Sequence, residues 1–333
     1  MSRSIGTQQW SQAVRLIQSS DRAFVGTHVR PDGDALGSLL GLALVLEERG
    51  LQVARLCADP APLTYAFLPG AELITAQLPD WSPQLGMVVD CDGISRLGPL
   101  EPSFAALPHL IDIDHHATNR TFGELRLIDS KAAAAAEIVF GLVRELDMEL
   151  EPDIATCLYT GIITDTGRFC YGNTTAATFR IAGELVRAGA EPDSIARRVY
   201  AERSIAATHL LGAALSHLAA ELNGEVVSSA LTLADFAATG AAPADTEGII
   251  DHLRAIAGPR VALLLVELED GQVRVSFRSD GTVDVSAVAL EFGGGGHAMA
   301  SGCTCPGSLQ EVRREVLAAV ARALSESGCR DAR

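Results

Sequence analysis

"THVRPDGDALGS", Thr27 to Ser38, sets a histidine and two aspartates within the seven positions from His28 to Asp34. It stands between the apolar run AFVG and the helix-like LLGLALVLEERG. Three ionisable groups at the end of a buried strand cost free energy unless something uses their charge. The local reading is a polar turn in which Asp34 caps a helix over Ala35–Arg49. The same signal recurs, however. MVVDCDG ends an apolar run in Asp90, HLIDIDHHATN ends one in Asp114, His115 and His116, and LYTGIITDTGRF ends one in Asp165.

Clustered carboxylates repel and raise one another's pKa. Two divalent cations would relieve that repulsion and use the ligands. Carboxylates with some imidazole suit Mn²⁺ or Mg²⁺ better than zinc, whose structural sites favour thiolates. Paired cations about 3.5–4 Å apart activate water and neutralise phosphoryl charge. No Walker loop, dinucleotide fingerprint or activated serine motif competes, and DGDALGS lacks the later ligands of an EF-hand.

The scaffold around these residues reads as α/β. Ala23–His28, Gln52–Cys57, Met87–Asp90, Leu110–Ile113 and Leu125–Ile128 read as strands. Ala35–Arg49, Ala132–Leu146, Ile154–Ile163 and Thr175–Ala188 read as helices. Continuous apolar strands alternating with helices imply a mostly parallel sheet flanked by helices, with ligands beyond its carboxyl edge. Glu191 to about Leu218 reads as helical. A smaller α/β domain follows: a strand from Glu225, a helix in DTEGIIDHLRAIAG, a hairpin turning at Asp270-Gly271, and a last helix after GGGGHAMASG. The expected division is 1–190, a helical linker 191–222, and 223–333.

Composition narrows the partners. The chain has 333 residues, a formal charge of −16 and nearly half apolar residues, so a large core is available and a broad basic surface for long duplexes is not. Seven scattered cysteines, with only Cys303-Thr-Cys305 close together, read as reduced thiols rather than a zinc site. Met1–Trp10 lacks a signal-peptide pattern and no apolar stretch is long enough for a membrane span. A cytoplasmic protein is expected, without membrane partners.

The order H-x₃-D-x-D, VVD, DHH and DTG-x-F resembles the DHH phosphoesterase superfamily, and SFRS with GGGGH resembles its DHHA1 subgroup. The resemblance runs over most of the chain and is weakest between about residues 190 and 245. It implies one cation held by His28, Asp32 and Asp90, and a second held by Asp34, Asp90, His115 and Asp165. Asp90 bridges in this scheme because a carboxylate offers two oxygens. It gives His116 the phosphate or leaving oxygen, and Asp114 the orienting of an imidazole. In the second domain it gives Arg278 and Ser279 a phosphate or base, and Gly294, Gly295, Gly296 and His297 a close backbone approach to substrate. Gly293 reads as a helix cap, Arg274 as a solvated strand residue, and His109, His209, His217 and His252 as structural. Two departures stand out: AAAAAE has no hydroxyl before Glu137, and Arg168 occupies a place the family often gives to a small residue.

The implied activity is hydrolysis of short single-stranded RNA of about two to five nucleotides, which needs few phosphate contacts. Removal of the 3′-phosphate of 3′-phosphoadenosine-5′-phosphate (pAp) goes with it. A cyclic- or linear-dinucleotide phosphodiesterase would use the same groups. A RecJ-like exonuclease would need further nucleic-acid-binding domains, and a nucleotide-sensing protein without turnover would tolerate the loss of a ligand. A homodimer stays open.

Overall fold

Gly37 and Gly161 face each other across two helices, and a Cβ on Gly37 would lie 2.4 Å from the Cys157 carbonyl oxygen. A Cβ on Gly161 would lie 2.7 Å from Asp34 Oδ1. Only glycines let the two backbones come this close, and the crossing sets Asp34 beside the helix that ends in Asp165. The computed structural model in which this is seen describes residues 5–330, without the side chains of 328–330. The Cys329 side chain and the first four residues of Met1–Trp10 therefore lie outside the described set.

The chain divides into two compact units, one up to Glu202 and one from Arg203. The first contains α1 (Thr7–Gln18), β1 (Arg22–Gly26), α2 (Gly33–Glu48), β2 (Gln52–Leu56), β3 (Leu85–Val89), α3 (Glu101–Ala105), β4 (His109–Asp114) and β5 (Leu125–Ile128). It continues with α4 (Ala135–Glu145), α5 (Pro152–Asp165), α6 (Ala176–Arg187), α7 (Pro192–Ala196) and a π-helical turn, Arg197–Ala201. The strands form a fully parallel sheet in the order β2-β1-β3-β4-β5. One face packs on α1, α2 and α4, with α5 against α2 and α4, through residues such as Leu39, Leu42, Ile138 and Leu158. On the other, Phe24 of β1 packs with Leu97, Leu100 and Phe104. β3, buried at all five positions, is a continuous apolar run because both faces are covered.

The register decides where the polar residues meet. Gly26 pairs with Val88, and Val89 with Ile113. The carboxyl ends of β1, β3 and β4 therefore lie side by side, about 4.8 Å apart, and release His28, Asp90 and His115 at one edge.

The second unit contains α8 (Ile205–Ser216), β6 (Ala219–Glu221), β7 (Val226–Leu231), α9 (Leu233–Thr239), α10 (Ile249–Arg254), β8 (Val261–Glu267) and β9 (Gln272–Ser279). α11 (Val285–Glu291), β10 (Gly295–His297), β11 (Ala300–Pro306) and α12 (Leu309–Arg330) complete it. Its mixed sheet runs β10-β11-β9-β8-β7-β6. β9 alternates as its sequence implies, with Val273, Val275 and Phe277 buried. Its hairpin with β8 turns through Gly271 at φ +78°.

Several local expectations need correction. A β10–β11 hairpin stands before the last helix where none was expected, because glycines and a proline carry little strand signal. The helical stretch after Glu191 is broken at residues 202–204. α5 runs two residues past Ile163, so Asp165 lies on a helical turn rather than beyond it. The cap of α2 is Asp32, whose Oδ1 accepts the N–H groups of Asp34 and Ala35, and Asp34 is buried instead.

Candidate metal centre

Two histidines of the cluster are each oriented by a carbonyl. His28 Nδ1 lies 2.9 Å from the Val29 carbonyl and His115 Nδ1 lies 3.2 Å from that of Ala132. A carbonyl only accepts, so Nδ1 carries a proton in both rings and Nε2 is the nitrogen turned inward. His115 Nε2 faces Asp165 at 3.4 Å, Asp90 at 3.5 Å and Asp34 at 3.9 Å, and His28 Nε2 faces Asp90 at 3.5 Å. These separations are too long for good hydrogen bonds. They are those of groups turned toward a shared space.

Asp90 stands in the middle. It is 3% exposed with a left-handed φ of +55°, directly after β3. Its buried Oδ1 has no hydrogen-bond partner among the described residues. An orphaned carboxylate oxygen among inward-turned imidazole nitrogens fits a cation. The sets His28–Asp32–Asp90 and Asp34–His115–Asp165 each bring their donor atoms within 4.8 Å of one another. Asp90, His115 and His116 do so as well. His116, however, commits Nδ1 to Asp114 Oδ1 at 2.6 Å.

Asp34 is held from three sides. Ser38 Oγ donates at 3.0 Å, and the N–H groups of Ala135 and Ala136 donate at 2.6 and 3.0 Å. The alanine-rich stretch lacks a hydroxyl, and what it offers is the amino end of α4, whose first N–H groups have no intrahelical partner. Burial, with Asp90 and Asp165 beside it, pushes the Asp34 carboxyl well above the usual range. Burial likewise pushes Asp165 up to about 7, against the pull of His115. Burial opposes charge on His115, yet Asp90 and Asp165 raise it well above an ordinary imidazole. The cluster thus takes up protons where cations would neutralise it.

Asp114 is fully buried. Burial works against its ionisation, but the bond from His116 and that histidine's charge hold its carboxyl below the usual value. Burial also opposes charge on His116, and the Asp114 bond with the charge of Asp90 lifts it to about 9. Sequence reasoning missed Asn119, whose Nδ2 donates to Asp114 Oδ2 at 2.7 Å and lies 3.2 Å from both Asp112 Oδ2 and the Cys91 carbonyl. It also missed Asp112, fully buried and pushed up to about 8 by burial and by Asp114. The two-residue spacing of Asp112 and Asp114 on one strand was the available signal.

In the second unit, Arg278 and His297 both lie in register with Ala300 of β11. They share one sheet face, two strands apart, or about 10 Å. Ser276, Gly302 and Gly295 form the neighbouring row on that face and leave it nearly bare. Arg278 Nη1 donates to the Phe277 carbonyl at 3.1 Å, and Nε lies 3.4 Å from Asp251 Oδ1. The structure adds to three sequence readings here. Ser279 is 1% exposed and its Oγ accepts the Gly281 N–H, which closes a turn. Gly294 and Gly296 have an internal cause, since a Cβ there would lie 2.2 Å from the Gly302 oxygen and 2.6 Å from the Ala300 oxygen. Arg274 is half-buried and donates to Thr246 Oγ1 rather than standing in solvent.

The sequence matches the DHH family, N-terminal domain, over residues 22–162 and the DHHA1 domain over residues 211–326. It is 36% identical to the bifunctional oligoribonuclease and PAP phosphatase NrnA of Thermus thermophilus, over 92% of this chain and 91% of that protein. The chain belongs to the DHH–DHHA1 phosphoesterase family. A second DHH–DHHA1 relative, the NrnA of Bacillus subtilis with the same designation, is 29% identical over 88% of this chain and 92% of its own. Both are named as hydrolases of phosphoester bonds, and the DHH family is metal-dependent. The fold is similar to that of an exopolyphosphatase-related protein from Bacteroides fragilis, with a TM-score of 0.89, 26% identity and 98% of each chain covered. No helix among the described residues is long and apolar enough to cross a membrane.

Proposed function

We propose that this protein hydrolyses single-stranded RNA of about two to five nucleotides to mononucleotides, a length needing few phosphate contacts, and converts pAp to AMP. Two divalent cations serve it, Mn²⁺ ahead of Mg²⁺, and it works in the cytoplasm. The observation that carries the reading is the convergence of His28, Asp32, Asp34, Asp90, His115 and Asp165 around the unpartnered Asp90 Oδ1. His28, Asp32 and Asp90 would hold one cation, and Asp34, Asp90, His115 and Asp165 the other. When bound, the pair supplies neutralisation of phosphoryl charge and a water acidic enough to attack phosphorus.

The chain's own residues do the rest. Asp114 holds the His116 imidazole with Nδ1 protonated, so that Nε2 exchanges the proton at the leaving oxygen. Arg278 and His297, on their nearly bare sheet face, bind nucleotide phosphate or base. The test is a turnover panel in Mn²⁺ of pAp, a dinucleotide, a pentanucleotide, cyclic di-AMP, pyrophosphate and a long single strand. Turnover of the dinucleotide and pAp, falling steeply beyond about five nucleotides, is expected. Preference for the cyclic dinucleotide or efficient digestion of the long strand overturns it.

A further inference from the structure

After Asp165 the chain makes a left-handed turn, with φ of +53° at Gly167, +63° at Arg168 and +62° at Phe169. Residues other than glycine, asparagine and aspartate rarely adopt it. Thr166 closes the turn: its carbonyl accepts the N–H groups of Cys170 and Tyr171 at 3.0 and 2.9 Å, and its Oγ1 accepts that of Phe169 at 3.1 Å. The turn directs the Phe169 ring sideways. One contact is edge-on to Tyr159, at 6.1 Å between centroids and 61°. The other is face-on to Phe179 of α6, at 5.3 Å and 26°. Phe179 is nonetheless 58% exposed, so one ring face rests on Phe169 and the other meets solvent.

This aromatic ledge is built onto the metal centre. Asn173 Nδ2 donates to the carbonyls of Asp165 and Ala133, both at 3.0 Å. Thr178, next to Phe179, is fully buried and hydrogen-bonded to Glu137 in the first turn of α4, the helix whose N–H groups hold Asp34. The ledge is also locally basic. Arg168 stacks over Tyr200 at 4.6 Å, Arg180 follows Phe179, and neither forms an ion pair among the described residues. In a chain of charge −16 they put two cations beside the exposed ring.

We propose that Phe179, backed by Phe169, is a stacking platform for a nucleobase of the substrate, with Arg168 and Arg180 attracting the flanking phosphates. This deepens the short-RNA reading and rests on it. A bare aromatic face takes any base, which suits hydrolysis of mixed sequences. A second copy of this chain is the competing occupant, because Phe179, Gly183 and Val186 make an exposed stripe at helical spacing. Antiparallel pairing of two α6 helices would bring Arg180 of one copy toward Arg187 of the other, which disfavours it.

The test compares wild type, Phe179→Ala and Phe179→Trp on a dinucleotide and on its counterpart lacking both bases. Phe179→Ala should raise KM for the dinucleotide roughly tenfold, the scale of one lost base stack. It should leave kcat and the abasic substrate unchanged, and Phe179→Trp should restore the KM. Equal effects on both substrates, or none, overturn the proposal. So does a change of solution mass by light scattering with KM unmoved, which would mark a self-association seam. A wild-type protein that turns over no nucleotide sinks the proposed function instead. The platform is then judged by dinucleotide binding in EDTA, where weaker binding by Phe179→Ala supports it and unchanged binding overturns it.

Discussion

Asp114 Oδ1 receives two hydrogen bonds at once, from His116 Nδ1 at 2.6 Å and from the His115 backbone N–H at 2.8 Å. One buried carboxylate oxygen therefore fixes both histidines of the pair, one by its ring and the other by its backbone. His115 then turns Nε2 toward three carboxylates while His116 is held out of that set. Two adjacent, chemically identical residues come to have different duties.

His116→Ala and Asp114→Asn should keep cation binding, and kcat should fall roughly 10²- to 10⁴-fold, the range for a lost acid–base group. His115→Ala should lose a cation. Calorimetric titration with Mn²⁺ beside steady-state rates separates these outcomes. Equal loss of cations in His116→Ala and His115→Ala would mean the two histidines are reversed.

Asp90→Ala should lose affinity for both cations and nearly all turnover. The fold should survive, because Asp90 follows the last residue of β3 and its Oδ1 takes part in no hydrogen bond among the described residues. Two intact binding events in that variant would remove Asp90 from its bridging place.

Stability without cations should fall as pH rises from about 6 to 8. A carboxyl whose folded pKa is raised stabilises the fold fully below its unfolded value and loses that contribution as pH rises through the folded value. Asp165, at about 7, crosses in this window, and Asp34 is shifted in the same direction. His116, raised from 6.5 to about 9, begins to lose its contribution in this window and loses the rest by about pH 9. Cations favour the deprotonated cluster, so the Tm difference between Mn²⁺ and EDTA should widen with pH. A constant difference would mean the cluster does not titrate there.

Ala135→Pro should keep α4 but weaken cation binding. Ala135 is the first helical residue and Ala134 before it is extended (φ −156°, ψ 154°), a place where proline is tolerated. The substitution deletes the N–H that donates to Asp34 at 2.6 Å. Roughly tenfold weaker Mn²⁺ binding with unchanged helicity by circular dichroism is expected, on the scale of a charge-assisted hydrogen bond. Unchanged affinity would show that Asp34 needs no support from α4.

Arg278→Ala and His297→Ala should leave cation binding untouched and lower kcat/KM for nucleotides roughly ten- to hundredfold, the worth of about 1.5–3 kcal/mol. Bis-p-nitrophenyl phosphate should suffer less, having little for that sheet face to hold. Equal losses on both substrates would place these residues in the chemical step.

The strands of the first unit were legible because β1, β3 and β4 are short apolar runs, each ending in a charged residue. That local pattern also exposed His28, Asp90 and His115. Asn119 was not legible. Its amide matters only because β4 returns it to the Cys91 carbonyl and to two carboxylates. Asp34 looked like a cap from its neighbours alone, whereas Asp32 does the capping and Asp34 serves α4 across the core.

The sequence by itself determined which side chains stand at strand ends, since alternating apolar and polar segments dictate a buried sheet with its charges at the edge. It also determined the buried face of β9, through a period of two. Only the tertiary structure decided what those side chains do. Gly294 and Gly296 gained a packing requirement, because β11 returns against them. Ala135 and Ala136, without functional side chains, became donors to a buried carboxylate. Backbone donors and close approaches depend on how elements distant in sequence are brought together. A one-dimensional pattern carries no term for that.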